Sequence, residues 1–108
     1  MGASSRRKGV GGEREVAHLL ETCGFEVRNL EGKGDHLIVR AGTIPLHIET
    51  KRQERIQLPL WLRQAEREAP PGAIAVVAFR QSHSRWYAAL PLLDLAELLT
   101  YYLLRDDG

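Results

Sequence analysis

Apolar and polar positions along this chain follow two periods, and the switches between them mark its elements. Val16, Ala17, Leu19, Leu20 and Cys23 recur at helical spacing from Glu13 until Gly24 stops the pattern. Phe25-Glu26-Val27-Arg28-Asn29-Leu30 alternates with period two and reads as a strand, followed by a turn at Glu31-Gly32-Lys33-Gly34. Asp35–Arg40 and Ile44–Lys51 read as the two strands of a hairpin around Ala41-Gly42-Thr43. Pro59 suits the first turn of a helix whose apolar stripe is Trp61, Leu62, Ala65 and Ala69, and Pro70-Pro71-Gly72 ends it. The continuous apolar run Ala73–Phe79 predicts a strand buried on both faces. Gln81-Ser82-His83-Ser84 turns the chain into a further strand, Arg85–Leu90, and Pro91 opens a helix from Leu92 to about Leu104. The order is α-β-β-β-α-β-β-α, an α/β sheet of five strands with helices on its faces and no internal repeat.

The last helix carries Leu92, Leu93, Leu95, Leu98, Leu99, Tyr101, Tyr102, Leu103 and Leu104. These cannot share one stripe of about 100°. A second surface must take some of them, most economically in a homodimer; a well-buried terminal helix is the alternative. With 108 residues the chain is expected to form one domain, residues 12–108, behind a flexible basic arm at 1–11.

The net charge of +1 does not by itself announce a nucleic-acid binder, but its distribution says more. Arg6, Arg7 and Lys8 cluster near the start, and Lys51, Arg52 and Arg55 cluster mid-chain, a pattern suited to a polyanionic ligand. The single cysteine excludes an intramolecular disulfide and fits a reducing, cytoplasmic setting (the host's, were the gene viral). No apolar run approaches the roughly 18 residues of a membrane span, and the first residues lack the apolar core of a signal peptide.

The candidate chemistry lies in the hairpin. Glu49 and Lys51 are two apart, so on a strand they share a face, and His47 shares it with them. A hairpin near-symmetric about Ala41-Gly42 sets position 35 against positions 48–50. Asp35 and Glu49 could then converge on one hard cation with an ammonium group beside it, the arrangement that metal-assisted phosphodiester hydrolysis uses. Either acid alone reads equally well as turn chemistry or a solvated strand face. Glu13, at the mouth of the first helix, could orient a water or hold a second metal, and Arg14 is available to a phosphate; Glu15 reads as an acid favoured by the helix N-terminus. Gly32-Lys33-Gly34 is not a P-loop, though Lys33 is close enough to Asp35 to touch a phosphate. The histidines show no zinc spacing, and His18, His36 and His83 read as structural or surface residues. Gln64 is a surface residue or a marginal site residue. Trp61 reads as core or dimer interface, and Cys23 as a buried small hydrophobe.

Most of the chain resembles the archaeal-type Holliday junction resolvases of the PD-(D/E)XK nuclease superfamily. The resemblance runs through Arg7-Lys8-Gly9, Glu13-Arg14-Glu15, Leu19-Leu20, Gly24-Phe25-Glu26-Val27-Arg28, Gly34-Asp35-His36-Leu37-Ile38-Val39, Ile48-Glu49-Thr50-Lys51, and Ala73–Phe79 with Trp86. It implies a restriction-endonuclease-like fold and a homodimeric, Mg²⁺-dependent endonuclease that cuts four-way DNA junctions, with Mn²⁺ as a substitute ion. It also implies roles: Asp35, Glu49 and the Thr50 carbonyl on the metal, completed by Glu13; Lys51 on the attacking water; Arg14 and Arg28 on phosphates. The segment between Arg28 and Asp35 is shorter than the family's and lacks its usual serine. The apolar terminal helix is longer. Rival readings are a same-fold nuclease for other branched or damaged DNA, a non-catalytic DNA-binding module, and an interaction protein whose charges are surface alone.

Overall fold

The computed structural model describes residues 2–29 and 36–106. The elements run α1 (Gly2–Thr22), β1 (Val27–Asn29), β2 (His36–Ala41), β3 (Ile44–Arg52), α2 (Leu58–Glu68), β4 (Ile74–Arg80), β5 (Tyr87–Ala89) and α3 (Leu92–Asp106), the expected order. The sheet order is β1-β2-β3-β4-β5, which puts β3 in the centre. β1, β2 and β3 pair antiparallel, β3 and β4 pair parallel across the α2 crossover, and β5 closes the other edge antiparallel.

Period-two alternation along the central strands divides the core into two layers. On one face Val16 of α1 packs with Leu37, Val39, Ile48, Ile74, Val76 and Ala78, and Leu98 of α3 covers the same cluster. On the other face Trp61 and Ala65 of α2 pack with Ala75 and Val77, flanked by Phe79. Trp61 is therefore a core residue, its ring centroid 6.3 Å from that of Phe79. Burying a side chain of this size contributes on the order of 2–3 kcal/mol.

Local rules explain the boundaries. α2 starts over Pro59 and stops where Ala69, the residue before Pro70, is pushed to extended backbone at φ −68°, ψ 134°. α1 ends in a Schellman closure, with Phe25 N–H bonded to Leu20 O at 3.1 Å and Gly24 N–H to Glu21 O at 2.9 Å while Gly24 takes φ 96°. That closure lifts Cys23 off the apolar stripe, so the cysteine is exposed and not buried as its spacing implied. In the hairpin Gly42 takes φ 64°, and the Tyr101 ring of α3 lies where any β-carbon would sit.

Two expectations at the start of the chain change. The backbone of residues 2–11, whose composition predicts an irregular arm, runs as the opening turns of α1. Just beyond that stretch glycine serves packing: a β-carbon on Gly12 would stand 3.3 Å from Trp86 and 3.4 Å from Arg52, so glycine lets the helix approach the sheet. Glu13 and Glu15 are consequently mid-helix residues, and the N-terminal dipole does not explain either.

Candidate metal centre

β3 carries its chemistry on both faces. Ile48 belongs to the α1 layer, so Thr50 and Arg52 face the same way, while His47, Glu49 and Lys51 face α2. Glu49 is completely buried and His47 is 4% exposed. The hairpin register sets His36 directly opposite Glu49 and Ile38 opposite His47. Residues opposite one another share a face, so the ladder delivers His36 to the two buried groups.

One nitrogen of each imidazole meets the other, His36 Nδ1 to His47 Nε2, at 3.1 Å. Glu49 Oε1 lies 3.5 Å from His36 Nδ1 and 4.0 Å from His47 Nε2. From α2, Glu68 Oε2 comes within 3.5 Å of His36 Nε2. Among the described residues His36, His47, Glu49 and Glu68 form one group whose donor atoms all lie within 4.8 Å of one another. A hydrogen bond with the Glu49 side chain holds the Glu68 carboxyl below its usual range, helped by Gln64 and the two nearby imidazoles and opposed by desolvation. Two carboxyl groups can share a hydrogen bond only through a proton, and a cation would meet the same acceptors. The chemistry of this donor set fits a divalent metal ion.

The sequence-predicted residues distribute unevenly around this centre. Glu49 and His47 are in it, and Lys51 follows on the same face, half-buried. Thr50 is buried on the opposite face. Gln64 Nε2 donates to Glu68 Oε1 at 3.3 Å, so it touches the cluster from outside. Glu13 is buried on α1, on the layer opposite Glu49, and is not one of the four converging groups. Asp35 and Lys33 lie outside the described residues, as do the side chains of Arg6, Arg7 and Lys8. Arg14 and Arg55 are exposed, and Arg28 is exposed with its guanidinium 3.4 Å from Glu26.

Arg52 is engaged inside the fold. Its Nη1 donates to Glu15 Oε2 at 3.1 Å, and the same carboxylate accepts from Arg80 Nε at 3.1 Å and Trp86 Nε1 at 3.1 Å. Arg80 also lies 5.6 Å from the Trp86 ring centroid. Glu15 thus ties α1 to β3, β4 and the segment before β5. His18 and His83 are exposed.

Sequence reasoning missed His36 and Glu68. The signal for His36 was available, since a hairpin register centred on Gly42 sets position 36 against position 49. Glu68 had none: it lies 19 positions beyond Glu49 and arrives only through the packing of α2 on the sheet.

No protein-family model matches the chain, and no curated protein sequence matches it. Among solved structures it is similar to the 1.6 Å structure of Archaeoglobus fulgidus Hjc, a Holliday junction resolvase from an archaeal hyperthermophile. The superposition has a TM-score of 0.55 at 23% identity, covering 77% of this chain and 72% of that one. The two share a fold. The mixed five-stranded sheet, its three helices and the order of elements are those of the Hjc nuclease, and Glu49-Thr50-Lys51 lies on the central strand of that architecture. No helix among the described residues is long and apolar enough to cross a membrane.

Proposed function

We propose that the chain is a divalent-metal-dependent DNA endonuclease that acts in the cytoplasm and resolves four-way junctions by paired symmetric nicks. The observation that supports this best is the wholly buried Glu49 carboxylate on the central strand of an Hjc-type sheet, two positions before Lys51 and surrounded by further metal-ligating groups. In this reading Glu49, Asp35 and the Thr50 carbonyl hold the cation, Mg²⁺ with Mn²⁺ as its substitute, and Glu13 supports the site. Such an ion supplies Lewis acidity and an activated water near neutral pH. Lys51 positions that water and offsets charge developing on the phosphate oxygens. Arg14, Arg28, Lys33, Arg55 and the Arg6-Arg7-Lys8 cluster contact backbone phosphates, so recognition follows shape and charge without base readout and weakens with salt. Arg52 supports the domain through Glu15.

The test is cleavage of an immobile four-way junction beside its linear duplex, in Mg²⁺ or EDTA, with Asp35→Asn as control. Paired nicks on the junction alone, lost in EDTA and in the variant, are expected. Equal cutting of both substrates would keep the nuclease and remove junction selectivity. Tight junction binding without cutting would leave a binding module.

A homodimer belongs to the same proposal, because two-fold symmetric junction cutting needs two sites. Leu92, Leu93, Leu99, Tyr102, Leu103 and Leu104 are exposed along α3, more apolar surface than scattered residues provide. Replacing Leu99 and Leu103 together by Glu is expected to halve the mass measured by light scattering and to convert paired nicks into single ones. An unchanged mass would exclude this face as the interface.

A further inference from the structure

We infer that the centre at Glu49 is a nitrogen-containing site built for a first-row transition-metal dication, bound through His36 Nδ1, His47 Nε2 and Glu49 Oε1, with Glu68 as the carboxylate that orients His36. This deepens the metal-centre reading at Glu49 and rests on it, with the two imidazoles in place of Asp35 and the Thr50 carbonyl and a transition-metal ion in place of Mg²⁺; it does not require that the chain cut DNA.

The three atoms form a triangle with sides of 3.1, 3.5 and 4.0 Å. The point equidistant from all three lies about 2.1 Å from each, the bond length that imidazole and carboxylate ligands take on zinc-sized ions. The donors therefore stand at ligand spacing already. Mg²⁺ is served by oxygen ligands and retained waters, whereas imidazole suits Zn²⁺, Co²⁺, Ni²⁺ and their neighbours. Two histidines and one carboxylate leave coordination positions open, as a site that receives a water or a substrate oxygen requires.

The surroundings complete the pattern. With Nδ1 facing the other ligands, the remaining His36 nitrogen, Nε2, lies 3.5 Å from Glu68 Oε2. A carboxylate behind a ligating imidazole fixes its tautomer and raises its basicity. His47 and Glu49 are held on the central strand and His36 on its neighbour, so a rigid sheet sets all three ligands. Glu68 is on α2, which joins the site to the second core layer.

Metal-free protein titrated with Co²⁺ tests this, because d–d bands in the visible report nitrogen and oxygen ligation directly and need no DNA. The expected result is a one-to-one Co²⁺ spectrum that equimolar Zn²⁺ removes and a hundredfold excess of Mg²⁺ does not. His36→Gln and His47→Gln should each weaken Co²⁺ binding at least 100-fold, Glu68→Gln about 10- to 100-fold, and His18→Gln with His83→Gln not at all. Far-ultraviolet circular dichroism on each variant checks the fold. Displacement of Co²⁺ by Mg²⁺ at comparable concentration would overturn the inference, as would full Co²⁺ affinity in a folded His36→Gln protein. A Co²⁺ centre of the expected kind in a protein that cuts no junction with any ion would retain this inference and end the nuclease reading.

Discussion

The two faces of β3 gather charged side chains in opposite ways. Toward α1, Glu15 receives N–H groups from Arg52, Arg80 and Trp86, so a carboxylate is ringed by cations and donors. Toward α2, Glu49 meets His36, His47 and Glu68, so two carboxyl groups and two imidazoles gather on one another. The first cluster is complementary and closes on itself. The second brings like groups together, which costs free energy unless a proton or a cation lies among them. Alternate residues of one strand therefore build a brace on one side and a receptor on the other, and the composition of each cluster tells them apart.

The sharpest test exchanges the same substitution between the two. Glu49→Gln should lower junction cleavage by about 10³-fold or more, the scale of losing a group that acts on the developing charge. Its melting temperature should hold or rise, because a like-charge contact is relieved. Glu15→Gln should do the reverse. It leaves two half-buried guanidinium groups short of their anion and should cost about 2–3 kcal/mol in urea unfolding at unchanged m-value. Metal affinity in that protein should stay within about threefold of the parent, as expected for distant sites that share no partner. If Glu15→Gln instead removed metal binding from a folded protein, the brace and the receptor would be one device.

Trp86→Phe probes the brace alone. It deletes the indole N–H bonded to Glu15 and weakens the ring's contact with Arg80. A loss of about 1–2 kcal/mol follows, with cleavage per folded molecule unchanged. A larger effect on cleavage than on stability would place Trp86 on the DNA.

How much of this the sequence carried depends on the range of the interaction. β3 and β4 were legible because period-two alternation and a continuous apolar run are local patterns, and Gly42 marked the hairpin because few residues tolerate its φ. The face shared by His47, Glu49 and Lys51 followed from the same period. Glu15 was misread because its partners Arg80 and Trp86 lie 65 and 71 positions away and no local pattern links them. Its apparent place at a helix start also vanished, because α1 runs from Gly2 and puts it mid-helix. Cys23 followed the apolar stripe in spacing, but the αL closure at Gly24 turned the chain before it could be buried. Glu68 required the docking of α2, which the sequence specifies only through Trp61 and Ala65.

The smallest expected effect marks where the receptor ends. Gln64 is one turn before Glu68 on α2, and its amide donates to Glu68 Oε1 rather than to Glu49 or either imidazole. It acts on the centre at one remove. Alanine is at least as good a helix former, so Gln64→Ala should change stability by no more than about 0.5 kcal/mol. Losing that donor should let the Glu68 carboxyl titrate closer to its ordinary value, which carboxyl-carbon NMR reads directly; the bond with Glu49 remains the larger influence. Co²⁺ affinity should fall less than in Glu68→Gln, because the orienting carboxylate is still present. A loss as large as that in His36→Gln would extend the ligand set to Gln64. The receptor would then be built as much from α2 as from β3.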